Sequence, residues 1–421
     1  MQIITPETTA DQLPKDLKGE SGHGVGRSAL KVFKSPSLDY QFTKFLDFAP
    51  FLGAEIGEAY HVARNIDEDN IESWATEWSA MAYKIKALAT EQRERGHKVS
   101  ARETYFRASG YFEAAFFFLL EKHPSKETFY NEHIECFRAA GALFDPPYET
   151  IDIPFNGKTL PGYFLRSDNS GKPKPTVLIQ TGGDGTCEQM YFTGGGQAAL
   201  KRGYNVILFE GPGQSGAYRR DHELVYRPDW EVPVGAVIDY ALSRPEVDPK
   251  RIAGIGYSLG GYLMPRAAAF DKRLSAVIAA CLLPDVFEST VRTQGLDAIL
   301  DKNFKGPLTH AQEWTLEEYL PRCGFRNGLK DLGAWIEHQR AFTLRGIEDK
   351  IDCPVLNIQT TGEGVPIFEG ARSVFDKLKN PHNRFVLFTE DDGAEMHCCT
   401  NNRTLMHHAI FDWLDDLFEV R

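Results

Sequence analysis

Several things are missing from this chain, and each absence narrows what it can be. Seven cysteines are scattered through 421 residues, with only Cys398-Cys399 adjacent. No CxxC pair occurs and no Cys/His group has zinc spacing, so neither a disulfide scaffold nor a metal site is expected. That usage fits a reducing compartment. No apolar run approaches the roughly 20 residues of a membrane span. The start, MQIITPETTADQLPKDLKGE, has no basic segment leading into an apolar one, so no secretory signal is read. Basic blocks are missing too: Lys+Arg 47 against Asp+Glu 59 gives a net charge of −12, spread along the chain. This disfavours nucleic acid and anionic membranes as partners. There is no GxxxxGK[ST], hence no P-loop. The expectation is a soluble, cytoplasmic protein that needs no cofactor.

What is present divides into three stretches. Residues 1–38 are polar, include GESGHGVG and read as an irregular arm. Residues 39–146 carry helical periodicity and read as a helical domain. Helices are expected from Asp67 to Gly96, from Ser100 to Leu120 behind a Ser100/Glu103 capping box, and from Lys126 to Ala140. The run FEAAFFFLL is apolar nearly all round, so burial on more than one side is expected. After Pro146-Pro147 the period changes. Ile151 to Leu165 reads as a hairpin around Asn156-Gly157. Strands then alternate with helices to the end of the chain: Val177–Gln180, Asn205–Glu210, Ile252–Gly256, Ser275–Cys281, Val355–Gln359 and Phe385–Phe388 are the expected strands. Alternating βα units imply a doubly wound, mainly parallel sheet over 147–421. A helical insertion at 282–350, carrying LDAILDKNF, LEEYLPRCGF and LGAWIEHQRAF, interrupts it.

The chemistry is concentrated at strand ends. Gly256-Tyr257-Ser258-Leu259-Gly260 joins a strand to a helix and has the form of a nucleophile elbow. The turn is so tight that side chains two before and two after the Ser would collide, and glycine removes the collision. A serine hydroxyl needs a base, and the base needs an orienting acid. Six histidines follow Ser258. Of these, His397 in EDDGAEMHCC lies between the last strand and the last helix, where the base is expected. His407 and His408 read as helix-face residues, and His310, His338 and His382 have no matching strand end. The acid is expected after VLNIQ. Glu363 is the carboxylate at that turn, and Asp285, after the preceding strand, is its rival. For an oxyanion hole, the N–H of Leu259 is one donor and that of Gly183 or Asp184, in TGGDGT, is the other. Gly211-Pro212-Gly213-Gln214-Ser215-Gly216 matches GxGxxG. However, Pro212 removes an N–H that a phosphate would want and no clean amphipathic helix follows, so a dinucleotide site is not read there.

FEGPGQSG, GYSLGGY, GEGVP and GAEMHCC, in this order, together with IGEAYHVARNI and SARETYFRASGYFEAAFF, resemble the α/β-hydrolases related to 2,6-dihydropseudooxynicotine hydrolase and esterase-like relatives of bacterial and fungal secondary metabolism. The resemblance covers most of the chain from about Phe45. It implies an α/β-hydrolase core under an N-terminal helical cap, the active site between them, and a homodimer. It implies Ser258 as nucleophile and His397 as base, and puts an acidic residue used near substrate at Asp184. The family's Asp falls on Glu363, a departure. The implied reaction on a small-molecule substrate is cleavage of a carbon–carbon bond next to a ketone, of retro-Claisen type, or of an ester, in a largely apolar secondary metabolite or polyketide. A cyclase or acyl-transfer enzyme on the same Ser-His pair, and a non-catalytic binding protein, are the alternatives.

Overall fold

The Asn156-Gly157 signal marks one end of the sheet. Both residues adopt left-handed backbone, φ +47° and +76°, as a two-residue hairpin turn of this twist requires. The computed structural model describes residues 1–17, 30–301 and 304–420. Nine strands form one sheet: β1 Gln2–Ile4, β2 Glu149–Phe155, β3 Lys158–Leu165, β4 Lys174–Gln180, β5 Asn205–Phe209, β6 Val247–Tyr257, β7 Ala276–Ala280, β8 Val355–Thr360 and β9 Arg384–Phe388. Their spatial order is β1-β9-β8-β7-β6-β4-β5-β3-β2. The six strands from β5 to β9 are mutually parallel, while β2, β3 and β1 run antiparallel at the two edges. Every residue of β5 and β7 is buried. That is the pattern of parallel strands covered on both faces, and it is why they read as unbroken apolar runs. The chain leaves β4 toward β5 on one side and returns to β6 on the other. The crevice at the carboxyl ends of β4 and β6 is therefore the topological switch point, where such sheets bind ligands.

Helices Pro36–Leu46, Ile56–Ala63, Ile71–Glu94, Lys98–Phe117 and Pro124–Gly141 precede the hairpin. The second long helix buries most of its length, including Phe106, Phe112, Phe116 and Phe117. Trp74 packs against it and donates from Nε1 to the carbonyl of Ala114 at 2.8 Å. The helix at Ile71 starts later than its periodicity suggests because Asn70 caps it, accepting from the Glu72 N–H at 3.2 Å. The Ser100/Glu103 capping box is not used. Helix Lys98–Phe117 opens on His97, whose carbonyl accepts from Ala101 N–H at 2.9 Å, so Ser100 lies inside the first turn. Gly96, at φ +80°, stops the previous helix, which leaves Arg95-Gly96-His97 as the whole connection.

The arm is more ordered at its start than expected. Residues 2–4 form β1 on the edge of β9, and the Asp16 carboxylate accepts from the Glu390 N–H at 2.9 Å. GESGHGVG lies outside the described residues. Within 282–350, LGAWIEHQ is a helix, Leu332–Gln339. LEEYLPRCGF is instead a succession of short π-, α- and 3-10 turns, and LDAILDKNF has only the 3-10 turn Ala298–Leu300 in its described part. This segment has its own small core of Phe287, Val291, Leu296, Leu320, Trp335 and Ile336.

Candidate active site

Ser258 follows β6 with φ +56°, a left-handed conformation that costs a non-glycine residue about 1–3 kcal/mol. Its N–H donates to the Ala280 carbonyl at 3.0 Å, and the Gly261 N–H donates to its carbonyl at 2.7 Å. A Cβ on Gly256 would fall 2.0 Å from the carbonyl oxygen of Gly260. The collision inferred from the motif is thus present across the turn. Leu259 opens helix Gly260–Phe270, whose first N–H groups have no acceptor within the helix. A Cβ on Gly182 would lie 2.7 Å from the Ser258 Cβ and 3.0 Å from the Leu259 nitrogen. The loop after β4, carrying Gly183 and Asp184, therefore lies against the elbow.

That loop is held from behind. Gln214 is fully buried and donates from Nε2 to the carbonyls of Thr181 at 2.7 Å and Gly182 at 3.1 Å. Its Oε1 accepts from the Gly211 N–H at 2.8 Å. Tyr226 donates from Oη to the Gly183 carbonyl at 3.1 Å. The Gly211–Gly216 stretch is therefore a brace for the loop after β4. Sequence reasoning set this stretch aside as a failed dinucleotide motif; the polar Gln between small residues was the available signal.

His397 opens a short turn after β9, and its Nδ1 shares a hydrogen bond with the Glu363 carboxylate. Glu363, 1% exposed, ends a 3-10 turn directly after β8. The Gly362 N–H donates to the Glu395 carbonyl at 2.9 Å, which ties the two loops together. Burial pulls the imidazole pKa down. Its neighbours Cys398 and Glu363, and hydrogen bonds to Cys281 and Cys398, outweigh this and hold it well above the ordinary value. Asp285 is engaged elsewhere. Its Oδ1 accepts from the Glu288 N–H at 2.9 Å, capping the following turn, and its backbone bridges Thr343. His407 is buried on the last helix against the Thr193 carbonyl, at 2.9 Å, and burial lowers its pKa to about 3.

A cavity of about 430 Å³ opens over the elbow, and Ser258, Leu259, Gly183, Asp184 and His397 all line it. The helix Pro36–Leu46 contributes Tyr40 and Lys44, and the 282–350 segment contributes Val286, Tyr319 and Trp335. Lys44 is 7% exposed, with Nζ 4.5 Å from the centroid of Phe117. Burial would raise the Asp184 pKa, but Lys44, Arg322, His397 and Arg326 more than offset it and bring it below the usual range. The Asp184 side is thus an anionic point among cations. Tyr40 and Lys44 were not picked out from sequence, because a lysine between Phe42 and Phe45 reads as part of a helix face. Chemically, the site offers a hydroxyl on a half-buried turn, an imidazole tethered by a carboxylate, and helix-terminal N–H groups beside a small-molecule cavity. Among the described residues, no helix is long and apolar enough to cross a membrane.

The comparisons with known proteins agree with this architecture. The family model described as "Alpha/beta hydrolase family" matches residues 185–403. Hydrolase LUC6 of Fusarium sp is 32% identical over 422 residues, covering 93% of this chain and 99% of that protein. The 20-hydroxy-prefusarin hydrolase FUS2 of Gibberella moniliformis is 31% identical over 421 residues, covering 93% and 99%. The solved structure of 2,6-dihydroxy-pseudo-oxynicotine hydrolase superposes with a TM-score of 0.70 at 22% identity, covering 88% of this chain and 95% of that one, a likeness of fold. With its doubly wound sheet, its strained serine turn and full-length relatives of this kind, the chain belongs to the alpha/beta hydrolase family.

Proposed function

We propose that this protein is a serine hydrolase that cleaves a carbon–carbon bond next to a ketone, or an ester, in a small and largely apolar secondary metabolite. One observation carries the reading: Ser258 stands on a left-handed turn at the switch point, in the same cavity as an imidazole whose Nδ1 is held by Glu363. With Nδ1 tethered, Nε2 is the ring nitrogen that takes the serine proton. Ser258 Oγ then forms a bond to the carbonyl carbon, and the carbonyl π pair moves onto oxygen. The N–H groups of Leu259 and of Gly183 or Asp184 receive that oxyanion. Collapse breaks the bond to the leaving group, an alkoxide or an enolate, which takes the proton from the imidazolium. Water adds to the acyl-serine by the same base and completes hydrolysis. Support for a secondary metabolite as substrate comes from the full-length likeness to the 20-hydroxy-prefusarin hydrolase.

The test is active-site labelling joined to isotope tracing. A fluorophosphonate should label Ser258 in the wild type and nothing in Ser258→Ala. That variant should lose turnover by roughly 10⁴-fold or more while keeping its circular dichroism. The acid product formed in ¹⁸O-water should carry one labelled oxygen. Full activity in Ser258→Ala would sink the reading, and a product without label would favour cyclisation or acyl transfer.

A further inference from the structure

The helix Pro36–Leu46 is buried on two sides, yet only one of them is apolar. Leu38, Phe42 and Phe45 enter the core of the helical domain, where Phe45 meets Phe48, Trp78 and Phe117. Ser37, Tyr40, Gln41 and Lys44 recur at helical spacing on the other side and line the cavity over Ser258. A helix covered all round is ordinarily apolar all round, so this polar stripe needs a reason.

Hydrogen bonding sets two members of the stripe apart. Elsewhere on the helix the polar groups are satisfied. Asp39 accepts from the N–H groups of Val32 at 2.6 Å and Phe33 at 3.0 Å, and Thr43 donates to the Asp39 carbonyl at 3.0 Å. Ser37 donates to Glu318 at 3.3 Å. Gln41, in contrast, has its Oε1 buried without a partner. Lys44 is 7% exposed, and among the described residues its ammonium has neither a hydrogen-bond acceptor nor an ion-pair partner. Its neighbours are ring faces, Phe117 at 4.5 Å and Phe45 at 5.7 Å. A ring face offsets only part of the hydration that a buried cation gives up.

The anions nearby do not cancel this charge. Asp184 lines the same cavity and feels Lys44 without pairing with it. Burial pushes the Glu113 pKa up to about 7, against the pull of His133 and Lys44, so at neutral pH it carries only part of a charge. Glu318 sits two turns away, at Ser37. A second cation, Arg322, lies over the same Phe117 ring at 4.3 Å, with Nε and Nη2 buried and unpartnered.

We propose that Lys44, with the Gln41 amide beside it, binds an anionic oxygen group of the substrate: a carboxylate or the ionised enol of a 1,3-dicarbonyl, two oxygens sharing one negative charge on an otherwise apolar body. The group is separate from the carbonyl that Ser258 attacks, because a negative charge there would repel the attacking oxygen. Anion binding rests on the cavity alone; that the anion belongs to a substrate rests on the function proposed above.

Calorimetric titration of the full-length wild type tests this with pairs of probes that differ chiefly in charge. Octanoate should bind at least about tenfold more tightly than octanamide, or dimedone, a cyclic 1,3-diketone ionised at neutral pH, at least about tenfold more tightly than its neutral methyl enol ether. A preference in the first pair identifies the native group as a carboxylate, and in the second as an enolate. Lys44→Met should abolish the preference, and Lys44→Arg should keep most of it. Should the methionine variant fail to fold, Lys44→Gln and the wild-type pairs still decide. No preference in either pair, or one that survives loss of the ammonium, would overturn the proposal. Failure of a fluorophosphonate to label Ser258 counts against the proposed function and leaves the titrations to decide the anion site.

Discussion

Glu363 is one methylene longer than the aspartate expected at its turn. The fold accommodates the extra length by placing it on a 3-10 turn immediately after β8, where its carboxylate meets His397 Nδ1. Asp285 spends its carboxylate on a turn cap. The two substitutions should therefore behave differently. Glu363→Gln removes the charge that selects the tautomer and should lower kcat by roughly 10³–10⁴-fold. Asp285→Asn should keep kcat within a few-fold and cost stability of about 1 kcal/mol. Steady-state kinetics on both variants, with urea melts, would decide; equal losses would return Asp285 to candidacy. The pH profile follows from the raised imidazole pKa. Only the neutral ring can take the serine proton, so kcat/KM should rise with pH and reach half its plateau above the ordinary value of 6.5. In Glu363→Gln that midpoint should move down, since a carboxylate that favours imidazolium is gone. The linkage to stability has the matching sign. The shift stabilises the folded chain fully below the unfolded pKa, and this contribution is lost as pH rises through the folded one.

At the scale of elements, the stretch Gly211–Gly216 works through Gln214, whose amide joins it to the carbonyls of Thr181 and Gly182. Gln214→Leu leaves these acceptors buried without their donor and frees the loop that carries Gly183. We expect kcat to fall about 10- to 100-fold with KM within a few-fold, because the loop would contact developing charge more than bound substrate. An increase in KM alone would mean that the brace serves binding instead. This element also shows what a sequence can reveal. Each central strand was readable, because strands buried on both faces are continuous apolar runs bounded by turn residues. Ser258 and His397 were readable as candidates because each sits at the end of such a strand. Gln214 was not, since its partners come from another strand, and pairing across a sheet leaves no local pattern. The same holds for β1, whose three residues gain meaning only beside β9. In 282–350 the apolar spacing gave helices, but the chain there breaks into short turns whose packing is set by the small core around Trp335.

At the scale of the whole molecule, one carboxylate ties three separate parts of the chain together. Glu121, just after helix Lys98–Phe117, accepts from Arg326 at 2.7 Å and Arg219 at 2.8 Å, and lies 3.5 Å from Lys126. Arg326 belongs to the 282–350 segment and Arg219 to the helix after the Gly211–Gly216 brace, so three parts of the chain converge on one side chain. Arg322 adds a donation to the Phe117 carbonyl at 3.0 Å. Burial works against the Glu121 charge, but Arg326, Lys126 and Arg219 overcome it and bring its pKa to about 2. A lowered carboxylate pKa gives stability that is fully present above the unfolded value of 4.5 and is lost as pH falls through about 2. Glu121→Gln leaves buried guanidinium groups facing a neutral amide, which should cost about 3–5 kcal/mol. The loss should appear first where the segments meet. Limited trypsin digestion should cut the variant within 282–350 before the sheet, and kcat/KM should fall, because Tyr319 and Trp335 of that segment wall the cavity. The part of the thermal midpoint's acid-side pH dependence that Glu121 contributes, between pH 4.5 and about 2, should also be missing from the variant. Unchanged digestion, together with an unchanged midpoint, would show that the cavity walls are held by packing and not by this cluster of charge.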